Sequence, residues 1–194
     1  MVGTSLSAFR DALQREEVRS ISRRYFISNG FDGTLTAIGI TVGAYLSGVD
    51  AGLTVVKIGV GATIGLATSG LWSVWEIERA EKLADIHRME DELLHDLEDS
   101  RLMERKREGR VVNAVMSGLG PVIAMLLIIS PFLLAGTVLS MLQATLASVG
   151  IGVAVLFGFG AYMGDVSEQN WVKAGARMGL AGIVVALLNV LLPG

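Results

Sequence analysis

The 194-residue sequence contains no cysteine, which excludes disulfides and thiolate metal sites. Any bound metal is left to oxygen and imidazole ligands, a set that suits Fe(II), Mn(II) or Zn(II). Histidine is scarce as well, with only His87 and His95. Enzyme signatures are missing: there is no phosphate-cradling loop, no nucleophile with a base nearby and no His-Glu-x-x-His pair. The chain is read as neither an enzyme nor a nucleic-acid binder. The first 24 residues lack the short apolar core and small-residue cleavage site of a signal peptide. Charge is sparse at 18% and uneven, crowding the first 24 residues and the stretch from Glu76 to Arg110. Its distribution therefore says more than the net value of −3.

Apolar length is what the sequence has in abundance. It is 52% hydrophobic, with a mean hydropathy of +0.56, and its apolar runs exceed the roughly 20 residues a helix needs to cross a bilayer. The sequence predicts an all-α membrane protein with five transmembrane helices. Their approximate limits are Tyr25–Leu46, Leu53–Trp75, Val111–Gly136, Val138–Met163 and Trp171–Leu192. Residues 1–24 read as a cytosolic amphipathic helix at the membrane surface, with Phe9, Leu13 and Val18 or Ile21 on its apolar side. Residues 25–75 then hold spans one and two, 76–110 an acidic cytosolic insertion, and 111–194 spans three to five. The insertion leaves and re-enters on one side, so a helical hairpin is expected, turning near Asp99-Ser100, with its first arm continuing span two. Short connections, "SGVDAG" and Gly136-Thr137, join spans one to two and three to four.

Lys and Arg near span ends set the orientation. Arg10, Arg15, Arg19, Arg23 and Arg24, the basic residues of the insertion, and Lys173 and Arg177 all fall on one side, and only Lys57 on the other. The N-terminus is then cytosolic and the C-terminus opposite. Tyr25, Trp72, Trp75, Tyr162 and Trp171 fall at that same cytosolic interface, where amphipathic rings prefer to lie. Gly39 and Gly43, Gly61 and Gly65, and Gly175 and Gly179 each stand four apart, a spacing that permits close helix approach in a bundle or dimer. The run "GFGAYMG" in span four reads as packing. Pro121 and Pro131 are positions where span three can break its hydrogen-bond ladder.

One residue contradicts the solvent its span is built for. Asp32 lies roughly 10 Å beyond Tyr25 at 1.5 Å per residue, with Asn29 and Thr36 on its helical face. A carboxylate at that depth is costly unless it is protonated, paired or bound to a cation, which marks it as a functional candidate. No basic residue lies at similar depth, so a mobile cation or a proton is the partner to expect. A second constellation lies in "EIERAEKLADIHRMEDELLHDLEDS". There Glu78, Glu81, Asp85, Glu92, Asp96 and Asp99 recur at helical spacing, and Glu92 and His95 have the Glu-x-x-His spacing of carboxylate-bridged metal bundles. A solvated helix with Lys82, Arg88 and Arg101 as salt-bridge partners is the plain alternative.

These features together resemble the vacuolar iron transporter family, the iron and manganese transporters of plant and yeast vacuoles and their prokaryotic relatives. "SNGFDGTLTAIGITVGAYLSG" is similar to the family's first span, and "GFGAYMGDVSEQNWVKAGARMGLAGIVVALLNVLL" to its last two. The resemblance implies a homodimer that moves Fe2+ or Mn2+, with Zn2+ also suited to the ligands, out of the cytosol in exchange for protons. The membrane would be the plasma membrane in a prokaryote and a vacuolar-type membrane otherwise. The family's membrane aspartate falls on Asp32, and its metal-gathering glutamates fall within the stripe from Glu78 to Asp99. Where the family has a Ser-Met pair on the path in span two, this chain has Ser69-Gly70. Its insertion is also shorter than the family's three-helix metal domain. The alternative function is a membrane-anchored metal-binding or sensing protein that does not transport. A carboxylate-bridged oxidase would need two further bridging acids in register.

Overall fold

The computed structural model describes residues 6–93 and 101–192. The described residues form helices joined by short turns. α1 spans Leu6–Gln14, α2 Glu16–Leu46, α3 Gly52–Leu93, α4 Arg101–Ile129, α5 Met141–Val166 and α6 Trp171–Leu191, with a 3-10 helix at Ser130–Leu134 between α4 and α5.

Four helical stretches are long and apolar enough to cross a membrane: Gly52–Asp85, Arg107–Leu134, Met141–Val166 and Trp171–Leu191. These correspond to expected spans two to five. The expected first span is the later part of α2, whose apolar character is diluted by Asn29, Asp32, Thr34, Thr36 and Thr41. Two of these polar groups are settled locally. Thr34 donates to the Gly30 carbonyl at 2.7 Å and Thr41 to Ile38 at 3.0 Å, so both hydroxyls are satisfied by their own helix in an apolar interior.

The sequence expectation of one surface helix through residue 24 differs from what is observed. The chain bends at Arg15, whose backbone is extended, and Glu16 opens α2 with Glu17 in its first turn. Two acids suit the positive end of a helix there. α1 lays its apolar side on the protein: Ala12 and Val18 pack with Val112, flanked by Phe9, Leu13 and Met116. Arg15 also pairs with Glu108, tying the bend to α4.

α4 is the hub of the bundle. Of its membrane-length window 61% is buried, against 22–33% for the other three. It packs on α2 through residues with little or no side chain. A Cβ added at Gly120 would lie 2.3 Å from the Phe26 carbonyl, and one at Gly33 would lie 2.8 Å from Pro121. Pro121 does not interrupt α4, whereas Pro131 stands in the first turn of the 3-10 helix, where a missing N–H costs nothing. That turn lengthens the α4–α5 connection beyond Gly136-Thr137. α5 starts only at Met141, after a capping box in which the Ser140 and Gln143 side chains and backbones bond reciprocally.

α3 has 42 residues and is about 63 Å long at 1.5 Å per residue, twice the hydrocarbon thickness. As expected, the arm beginning at Glu76 is a continuation of the apolar part of the same helix. The expected turn at Asp99-Ser100 falls in residues 94–100, outside the described residues.

The glycine pairs divide into two kinds. Gly175 and Gly179 pack α6 on α5, against Phe157 and Val153, and Gly160 and Gly164 of "GFGAYMG" do the same from α5 against Ala174 and Trp171. Gly43, Gly61 and Gly65 have no neighbour within 4 Å of where a Cβ would stand. Large apolar side chains are exposed on every membrane-length helix, among them Ile64, Leu71, Leu127, Leu146, Leu180 and Leu187. Apolar cover on this scale suits lipid and not water.

Candidate functional site

Asp32 and Thr36 lie on the outer side of α2, both exposed. The same stripe continues through Ser28 before them and Gly39 and Gly43 after, at steps of three or four residues. Gly39 meets only the Asn189 amide, 3.7 Å from where a Cβ would stand, and Gly43 meets nothing. Among the described residues Asp32 has neither an ion pair nor a hydrogen-bond partner. It is a carboxylate that the described residues leave uncovered, at the start of a stripe that continues through Gly39 and Gly43.

Asn29 departs from this stripe. Its amide donates to the Ser117 hydroxyl on α4, and Ser117 donates in turn to the Gly70 carbonyl on α3 at 2.8 Å. One relay therefore joins α2, α4 and α3. Gly70 is buried in it, since a Cβ there would stand 3.0 Å from Ser117 Oγ and 3.2 Å from the Ser117 carbonyl. The neighbouring Ser69 is exposed, and no described bond joins it to Asp32. One turn before Ser117, Asn113 is 1% exposed, and neither atom of its amide bonds to another described group. Buried amides without partners are uncommon.

Ser117, Asn113 and Gly120 were absent from the sequence-level candidates. The signal was present, because "NAVMSGLGP" places polar and small residues at i, i+4 and i+7 in an apolar span, marking a polar and tightly packed face.

On the acidic arm, Glu78 is buried at 3% exposure and pairs with Lys82 at 3.0 Å. Asp85 pairs with Arg88 at 3.1 Å, while Glu81 is exposed. Arg110 stacks over the Trp75 ring at 4.2 Å, closing the α3–α4 seam near Glu78. Glu92 lies in α3, but its side chain, and His95, Asp96 and Asp99 altogether, are outside the described residues. Among the described residues no three acids or histidines converge as metal ligands would.

A family model with the description VIT family matches residues 73–193, from the last turns of the apolar part of α3 to the end of α6. The chain belongs to the VIT family, the vacuolar iron transporters. The matched region excludes Asp32 and Ser69 and includes the whole acidic arm. An uncharacterized protein of Methanocaldococcus jannaschii is 26% identical over 168 residues, 85% of each chain. No solved structure matches. Membership makes this a membrane protein of a metal-transporting family and gives no support to a catalytic role.

Proposed function

We propose that this VIT-family chain moves Fe2+ or Mn2+ out of the cytosol, with Asp32 receiving the ion, or a proton in exchange, at the mouth of a path completed by a second copy. The observation that carries this reading is the uncovered, unpaired Asp32 on a helix of an apolar bundle. A carboxylate facing hydrocarbon is costly, so its face needs a cover that is not lipid. The small-residue stripe through Gly39 and Gly43 supplies a surface on which another helix can come close. A divalent ion at Asp32 neutralises the charge that lipid disfavours, and a returning proton does the same, which is the physical basis for exchange.

In this reading the N-terminus and the acidic arm are cytosolic, as the distribution of Lys and Arg favours. Glu81, with Glu92, His95, Asp96 and Asp99, raises the local cation concentration. Glu78 and Asp85 accept metal only after releasing Lys82 and Arg88. Thr36 and Ser69 offer hydroxyl oxygens to an ion on the path, and Asn29 positions α2 through Ser117.

A second reading, a metal binder that does not transport, is favoured by one observation: the buried Gly70 contributes no ligand where the family has a thioether. Reconstitution separates the two. Transport predicts Mn2+ movement into a dye-loaded proteoliposome that increases with an opposing proton gradient. Calorimetric binding of Mn2+ without any flux would establish the binder instead.

A further inference from the structure

An open cavity of about 360 Å³ lies on the other side of α2, between α1, α2, α4 and α5. Its walls are Leu13, Phe26, Ile27, Met116 and Phe159, and Phe26 and Phe159 meet edge to face at 6.0 Å. Arg19 and Arg23 line the same cavity, one helical turn apart and therefore neighbours on one face. Neither pairs with an acid among the described residues, so the two guanidinium groups repel each other at one end of an apolar chamber. Nine residues separate Arg23 from Asp32, about two and a half turns, which points them to opposite sides of α2. The cavity is thus separate from the Asp32 face.

Its place along α2 says what kind of molecule fits. Arg23 precedes Tyr25, the residue at which the apolar run begins, and Tyr162 lines the cavity from α5. Tyrosines gather at headgroup depth. The cationic end is then level with phosphates and the apolar end level with acyl chains. Basic pockets between membrane helices on the cytosolic side bind anionic headgroups, and arginine forks match phosphate oxygens in geometry as well as charge.

We propose that this cavity is a binding site for one anionic phospholipid of the adjacent leaflet, its phosphate held between Arg19 and Arg23 and an acyl chain laid against Phe26, Ile27, Met116 and Phe159. A lipid there fastens α1 to the bundle at the bend where α2 begins. The site depends on α2 entering the membrane near Tyr25 and is independent of what Asp32 carries.

The test is native mass spectrometry of the full chain from micelles containing equal phosphatidylglycerol and phosphatidylcholine. About a tenfold excess of phosphatidylglycerol-bound protein is expected, since two arginines at a surface act together on one anionic headgroup. Equal retention of the two lipids by the wild-type protein overturns the proposal without any variant. The R19Q/R23Q double variant should lose the preference while keeping its helical circular dichroism, because neither side chain pairs with an acid among the described residues. An unchanged preference in that variant places the lipid elsewhere and also overturns the proposal. In a third arm, inorganic phosphate should leave the unfolding midpoint unchanged where phosphatidylglycerol raises it. An equal rise with phosphate would show an anion site and not a lipid site. Metal flux is not read in any arm, so transport and lipid binding stand or fall separately.

Discussion

Gly70 and Ser117 show how far a single position can be read without its neighbours. The resemblance identified position 70 as one where a thioether is missing. The structure shows why this chain keeps glycine there: α4 brings Ser117 Oγ to within 3.0 Å of where a Cβ would stand. G70M should therefore destabilise the protein instead of restoring a soft ligand, because the seam must open to admit the side chain. The cost is about 1–3 kcal/mol, read as a lower unfolding midpoint in detergent. S117A removes both bonds of the relay and leaves the part-buried Asn29 amide without its partner, at about 1–3 kcal/mol, while the Gly70 carbonyl keeps the Ser73 hydroxyl. Thermal unfolding of S117A and N29A, alone and combined, checks the relay, since coupled partners lose less together than the sum of the single losses. Asp32 was legible in the sequence because a lone acid in an apolar run is conspicuous. That Asn29 turns inward was not, since a helical face says which residues are neighbours but not where the next helix stands.

At the scale of elements, hydrophobic length located the stretches in α4, α5 and α6 to within about four residues, while the one in α3 runs past Trp75 to Asp85. The differences arise where local chemistry overrides hydropathy: the bend at Arg15, the 3-10 turn at Pro131 and the capping box that delays α5 to Met141. Glycine spacing indicated close approach without saying between which helices. Gly175 and Gly179 are spent on α5, while the tightest α2–α4 contact uses Gly120 and Gly33, which the paired spacing did not include. G120A should accordingly be among the most damaging small substitutions, because its methyl group would stand 2.3 Å from a backbone oxygen that has little room to move. Loss of a monodisperse, folded species on size exclusion is the expected outcome. G43L is the contrast. No described atom lies within 4 Å of where a Cβ would stand there, so the fold should survive while a dimer formed through the α2 stripe dissociates, which light scattering in detergent would register.

For the whole molecule, the proposed orientation rests on a simple asymmetry of basic residues, and the absence of cysteine makes it directly testable. Single cysteines at Asp50 and at Gln169, in the α2–α3 and α5–α6 connections, should label from opposite sides of sealed vesicles, with Gln169 on the side of the N-terminus. The bundle buries its polar relay at the α2–α3–α4 seam and leaves Asp32 uncovered on the outer side of α2. That division is what makes transport through an assembled face the favoured reading over a closed scaffold. On the acidic arm the plain alternative was the legible one for Lys82 and Arg88, which pair with Glu78 and Asp85 a turn away on the same helix. The most direct measurement is Mn2+ and Fe2+ flux in proteoliposomes for the wild-type protein and D32N, compared at equal incorporation and equal helical circular dichroism. Loss of flux in a folded D32N protein is the predicted result; flux equal to that of the wild type would contradict the assignment of Asp32 to the path.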